Sequence, residues 1–471
     1  MTSTPNSSDR SRVPPTLESI PTEIKLKISK HLDPTLPIED RWSYVRQVEA
    51  DEKRRAVLAL SLVSRSWNAA LEELKWQELV ISPKPTADLY SLVKDLLPSI
   101  GRYVSRLVIC DWEIDEYAGD DFVETDDQKA EIVVVENFAL VLPDQAAETD
   151  EPGSPGLSWA TRLDRVRNAL VAAAVSACQS ARSIRIEGVP EVPDPSYLGC
   201  SDDDDGHFAD FFEPTIAELG SRFTEAHISM AHQSGWGDTW DAARYIDYFR
   251  SAKAMTIEFN GIDEHEQVSD ELYEYLGELE DLESLRLICV DWLQLGSGDE
   301  DDLPPNLKHL QLEDMVLTSE ELHYLGGCAP ESLEALTLVS VECHTDASQR
   351  SRPFDFHHLR RLSIATPTPP SLLGLFRNSP LERVELCATR YDPQPSITPD
   401  RVVRFAQRHA HTLKSLLVHD TVIGGMHKAR LIENWGARQG ALVTVCPAPI
   451  LPALEVGSDA TDDEAWTDDE A

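Results

Sequence analysis

The chain has 471 residues, 41% of them hydrophobic and 27% charged, which suits a globular protein built from a small module and a larger body. Lys and Arg number 42 against 83 Asp and Glu, a net charge of −41. A surface this acidic repels phosphate backbones and anionic lipid, so nucleic-acid and membrane binding are disfavoured; it suits basic protein partners, or serves solubility alone.

Residues 1–15 are Ser/Thr/Pro-rich with little to bury and are expected to be a disordered tail. Met1–Arg10 lacks the apolar run of a secretory signal, and the longest apolar run, Ala169–Val175, falls far short of the roughly 20 residues that cross a bilayer. Cytoplasm or nucleus is the expected location.

Residues 16–81 are apolar at helical spacing. Pro21 can open a helix without losing a hydrogen bond, and Glu23 complements the dipole of the first turn. Ile20, Ile24, Ile28 and Leu32 recur every four residues, predicting one apolar stripe. A second predicted run places Leu60, Val63, Trp67, Leu71 and Leu74 on one face, with Trp76 just beyond. Taken alone, these residues describe a small helical core.

Residues 113–156 are mostly acidic and small and read as an exposed insertion around one short strand, Ile132–Val135. Ser201–Gly206 is a second acidic loop. Gly235–Trp240 holds two tryptophans in a predicted loop, suited to packing over a repeat or to anchoring a partner.

The body carries an internal repeat. Leu-x-x-Leu-x-Leu occurs at Leu282/Leu285/Leu287, Leu307/Leu310/Leu312, Leu333/Leu336/Leu338 and, ending in Ile, Leu359/Leu362/Ile364. It continues as Leu381/Val384/Leu386 and Leu413/Leu416/Val418, with weaker copies at Ala252/Met255/Ile257, Phe223/Ala226/Ile228, Ala181/Ile184/Ile186 and Val104/Leu107/Val108. From Leu282 to Leu413 the copies lie 25, 26, 26, 22 and 32 residues apart, close to the roughly 20–29 of leucine-rich repeats. Alternation along a short strand sends both residues of Leu-x-Leu to one side, and stacking buries what one repeat cannot. Returning helices are predicted over Ser269–Leu282, from Thr318 to Leu325, and from Thr398-Pro399-Asp400 through Val402, Val403 and Phe405. A doubly wound sheet is the competing arrangement. After Leu454 the tail, 455–471, twice carries Thr-Asp-Asp-Glu-Ala, at Thr461 and Thr467, and is expected to be disordered.

Chemistry-bearing patterns are missing. There is no phosphate-cradling glycine loop, nucleophile elbow or HExxH. The eight cysteines are scattered without a CxxC pair, so neither a zinc site nor a disulfide framework is expected. His357-His358 lacks spaced partners and reads as a solvated loop. A non-enzymatic chain without metal or cofactor is expected.

Ile20-Pro21-x-Glu23-Ile24…Ile28…Leu32, then Leu60-Ser61-Leu62-Val63-Ser64-Arg65-Ser66-Trp67 and Leu74-x-Trp76, resembles the F-box signature, and F-box proteins with C-terminal leucine-rich repeats recur in fungi. The resemblance covers residues 16–80. It implies a substrate receptor of an SCF-type cullin–RING ubiquitin ligase, docked on a Skp-family adaptor and through it on a cullin. Its adaptor-contact and core positions fall on Ile20, Pro21, Ile24, Ile28, Leu60, Val63 and Trp67, two roles the sequence does not separate. Two departures stand out. Residues 36–55 lengthen the usual connection, as a surface excursion or as an obstacle to the adaptor. Eight residues after each first Leu, where many repeat families place Asn, stand Val290, Met315, Val341, Pro367, Thr389 and Thr421, so an irregular array is expected.

The expected fold class is therefore α/β: an N-terminal F-box-like helical module over 16–81, then an irregular leucine-rich-repeat solenoid over 86–452, a curved parallel sheet with outer helices. An unknown client protein would bind the repeats; a ligase-independent interaction scaffold is the alternative.

Overall fold

The computed structural model describes residues 17, 20–37, 40, 42–82, 86–110, 159–189, 219–230, 246, 248–259, 276–288, 303–318, 325, 330–344, 356–366, 372–387, 397–419, 433, 436 and 442–446. The acidic insertions, the Trp236/Trp240 loop, the Ile132–Val135 strand and both tails lie outside them, as does most of the two predicted helices ending at Leu282 and Leu325.

The chain begins with four helices: α1 (Thr22–His31), α2 (Tyr44–Ser61), α3 (Arg65–Ala70) and α4 (Glu72–Lys75). The predicted single run from Leu60 to Leu74 is broken, because Ser64 restarts the helix. Its hydroxyl accepts from Trp67 N at 3.4 Å, an N-cap that satisfies a donor the first turn leaves free. Val57, Trp67 and Leu71 form a small core, with Ile20, Ile28, Leu32, Leu60 and Leu74 against it.

From there the chain enters a sheet: β1 (Glu78–Ile81), β2 (Arg106–Ile109), β3 (Ser183–Val189), β4 (Glu225–Met230), β5 (Ala254–Phe259), β6 (Ser284–Ile288), β7 (His309–Glu313), β9 (Ala335–Val339), β11 (Arg361–Ala365), β12 (Arg383–Leu386), β13 (Ser415–His419) and β14 (Leu442–Cys446). All twelve are parallel and stand in chain order. β8 (Val316–Thr318) and β10 (Glu342–His344) make a separate two-stranded sheet. Among the described strands the order never reverses, and they show no switch point of a doubly wound sheet. Among the connections, α5 (Thr86–Ser91) runs through a π turn, Leu92–Leu96, into α6 (Leu97–Ile100); α7 (Trp159–Ala177) and α8 (Pro399–Arg408) follow. The predicted helix from Thr398 is α8, with Val402, Phe405 and Ala406 buried.

Register explains the repeat. Leu79, Leu107, Ile184, Ala226, Met255 and Leu285 pair in one row, which continues through Leu310, Leu336, Leu362, Val384 and Leu416 to Val443. These belong to one continuous core, and each fully buried large side chain contributes roughly 1.5–3 kcal/mol. Two triplets change. In the earliest predicted copy the third core residue is Ile109, fully buried, because alternation turns Val108 to the other face. A still earlier copy, Trp76/Leu79/Ile81, places Trp76 against the sheet's core, so the sheet begins inside the segment read as helical.

A ladder of backbone carbonyls joins the repeats, in place of the Asn ladder of many repeat families. The carbonyl just before each strand accepts two N–H groups from the next repeat: Gln77 O from Ser105 and Arg106, Ser105 O from Arg182 and Ser183, and onward to Glu382 O from Lys414 and Ser415, all within 2.7–3.3 Å. Ahead of most strands a tight turn recurs, as in Phe223 N to Gly220 O, Leu307 N to Pro304 O and Leu333 N to Pro330 O. The backbone groups of each repeat are thus satisfied by the repeat before it. Among the described residues, no helix is long and apolar enough to cross a membrane.

Candidate functional site

The seven residues carried over from the sequence divide into two groups. Trp67 is 1% exposed and central to the helical core; its indole Nε1 donates to Leu17 O at 3.0 Å. Ile20, Ile28 and Leu60 are half-buried around it. Pro21 is exposed, and Ile24 and Val63 are 43% and 47% exposed. The stripe fails at Ile24 because a stride of four overshoots a 3.6-residue turn by about 40°. The face turned to α3 holds Lys25 and Ser29 instead. Lys25 is 2% exposed, its Nζ donating to Ser66 Oγ at 2.6 Å and lying 5.4 Å from the Trp67 ring centre. Ile24 and Val63 stand outside the helical core, and Leu62 is exposed as well, at 86%.

Of the two readings open for residues 36–55, a surface excursion does not fit the described residues from Trp42 onward, which pack on the sheet. The second half of this stretch opens α2, whose N-terminus is seated on the sheet's open face, the face opposite the core. Thr337 Oγ1 donates to Trp42 O at 2.7 Å, and Gln47 Nε2 donates to Gln311 Oε1 at 2.9 Å. Tyr44 and Val45 pack on Val339, Ala365 and Cys387. Ser43 Oγ donates to Glu385 Oε1 at 2.7 Å and Ser363 Oγ to Glu385 Oε2 at 3.3 Å, while Val45 adds a backbone bond. The helix end fits here because the residues beneath it, Thr337, Ser363, Ala365 and Cys387, are small, and because a carboxylate complements the positive end of a helix. Burial nevertheless pushes the Glu385 carboxyl above its ordinary range, against the three bonds that pull it down.

The same helix reaches the opposite end of the sheet, where Arg54 Nε stands 3.8 Å from Glu78 Oε2 of β1. From Ser43 to Arg54 the helix rises only ~16 Å, whereas the nine strand spacings from β1 to β12 amount to ~43 Å. The two ends of this run of strands therefore approach each other across the open face, with α2 between them.

Behind α2 lies a cleft of about 660 Å³, lined by the helix and by the open faces of β1 to β9. Ion pairs cross its floor. Arg286 Nε donates to Glu313 Oε2 at 2.9 Å; Arg185 reaches Glu258 at 3.4 Å and Glu187 at 2.6 Å; Arg106 reaches Glu78 at 3.0 Å. His227 Nε2 and Glu258 Oε2 are 2.8 Å apart. Burial pushes His227 below its ordinary value, and the bond to His227 holds Glu258 below its own. The two directions agree on a neutral imidazole donating to a carboxylate. Deeper, His309 bridges Ser284 and Thr337, each at 3.2 Å. Thr337 gives its one proton to Trp42 O, so His309 Nε2–H donates to Thr337, while Nδ1 shares the second bond with Ser284 Oγ.

None of these open-face residues was singled out in the sequence, although a signal exists. They are the middle residues of the Leu-x-Leu motifs, such as Arg286, Gln311 and Glu385, and the residues just before or after them, such as His309 and Glu313. His357 and His358 are exposed in a bend before β11, as a solvated loop requires. Among the described residues, no three His, Cys, Asp or Glu side chains are placed to hold a metal. The chain matches no known protein-family model, and no curated protein matches it.

Proposed function

We propose that the chain is the substrate-recognition subunit of an SCF-type cullin–RING ubiquitin ligase, working in the cytoplasm or nucleus. In this reading the helices α1 to α3 are an F-box-like module that docks on a Skp-family adaptor, and the sheet is the inner wall of an irregular leucine-rich-repeat solenoid that holds a client protein. Strands in chain order, the doubled carbonyl ladder and the close approach of β1 and β12 support the solenoid. The observation that carries the function is the exposure of Pro21, Ile24 and Val63, motif residues that the module's own core, built on Trp67, leaves unused. The mechanism is positional: a client held beside the transfer machinery reacts at raised effective concentration, with no covalent step, metal or cofactor on this chain.

A scaffold outside any ligase is the second reading, and the shared helix α2 favours it, since a helix bound to both module and sheet suits a cap. Affinity purification of the tagged full chain from its native cell separates the two. A Skp-family adaptor and a cullin recovered together support the ligase; their absence leaves the scaffold.

A further inference from the structure

We infer that the cleft between α2 and the open face of β2 to β9 binds an extended, lysine- or arginine-bearing segment of a partner protein. Three observations meet there. First, the open face of β9 and β11 is already covered: under the α2 N-terminus, Thr337, Ser363 and Ala365 are fully buried, whereas Arg185, Glu187 and Arg286 at the cleft keep more than a third of their side chains accessible. Second, α2 spans the face, which shuts out a folded domain and leaves room for a strand-like segment passing behind it. Third, the lining is charged and interleaved, unlike the mostly apolar walls of small-molecule pockets.

Charge sets the partner's sign. The lining holds six carboxylates, Asp51, Glu78, Glu187, Glu225, Glu313 and Asp314, against four arginines, so it is acidic even before the long-range field of the whole chain is added. Each arginine is engaged by a carboxylate already. A basic side chain entering the cleft finds carboxylate oxygens, while an acidic one meets repulsion. From β2 to β9 is ~29 Å, which an extended chain crosses in about nine residues. That the partner is a ligase client rests on the function proposed above; that a basic segment binds here does not.

The test is selection of a random peptide library, about twelve residues long, on the purified full chain at physiological salt. Selected peptides are expected to carry an excess of Lys and Arg. Their binding, read by fluorescence anisotropy, is expected to weaken about tenfold in Glu187→Gln/Glu313→Gln. The pair Glu278→Gln/Glu334→Gln removes the same charge outside the cleft and is expected to leave affinity within about twofold. Thr256→Tyr, which narrows the floor without changing charge, is expected to weaken binding as well and serves if the charge variant does not fold. Peptides without basic excess, no selected peptides, or equal losses in both charge variants would overturn the inference. Capture of a recombinant Skp-family adaptor is read on the same preparation. Adaptor captured without peptide selection removes the cleft site alone; peptides selected without adaptor removes the ligase role alone.

Discussion

Ser43 and Glu385, 342 residues apart in sequence, meet at 2.7 Å, and through that bond the N-terminal helices are tied to β12, the tenth strand of the sheet. Glu385 lies 8% exposed at the head of α2, among Ser43, Ser363 and the Val45 backbone. Replacing it by Ala would leave those three donors without an acceptor, a loss of about 2 kcal/mol. Chemical denaturation of Glu385→Ala is expected to show it. Hydrogen exchange is expected to quicken at Tyr44–Val48 while the amides of β2 to β5 stay protected.

The same carboxyl gives a pH dependence. Its value in the fold is raised above the ordinary 4.5. The native state therefore binds the proton more tightly than the unfolded chain. The stability this supplies is complete below the ordinary value and is lost as pH rises through the folded one. Glu385→Gln carries no such charge. Its stability relative to the parent is expected to improve from pH 4.5 upward, read as melting temperatures across a pH series. A constant difference would place the carboxylate's charge outside the ledger.

His409 titrates in the opposite sense. It is 1% exposed, its ring 4.7 Å from that of Phe405, and burial first and His411 second push it down to about 4. A lowered histidine supplies stability that is whole above its ordinary 6.5 and lost as pH falls toward 4. His409→Leu is expected to flatten acid unfolding in that window, measured by circular dichroism against the parent protein.

Two glycines should behave oppositely. A Cβ on Gly220 would stand 2.1 Å from Tyr248 O, a backbone atom that cannot step aside, whereas nothing lies within 4 Å of one on Gly374. Gly220→Ala is expected to cost about 3 kcal/mol or more. Gly374→Ala is expected to gain about 0.5 kcal/mol by restricting the unfolded chain. Denaturant midpoints of both variants check the pair.

Much of this architecture is legible in the sequence because it rests on repetition. Leu285/Leu287 and their counterparts announce a row of strands, and their spacing announces the stacking order. The residue after each first Leu runs Lys253, Glu283, Lys308, Glu334, Arg360, Glu382, Lys414, alternating in sign, and Lys308–Glu283 and Lys414–Glu382 are ion pairs between neighbouring repeats. Such exposed pairs add little energy each but oppose a slipped register. What stays hidden is long-range. Neither the placement of Trp42–Val48 on β9 to β12 nor the buried Lys25 follows from local periodicity, because each depends on where another segment supplies an acceptor or a small-residue floor. For the same reason helical spacing alone could not separate the core role of Trp67 from the exposure of Val63.

Direct titration of the purified chain with a recombinant Skp-family adaptor, followed by calorimetry, bears on the proposed function most closely. Saturable one-to-one binding is expected, lost in Ile24→Asp and in Val63→Asp while both variants keep the parent's melting temperature, because these side chains lie outside the Trp67 core. Heat signals absent in the parent, or unchanged in both variants, would contradict the ligase role and leave the chain a scaffold.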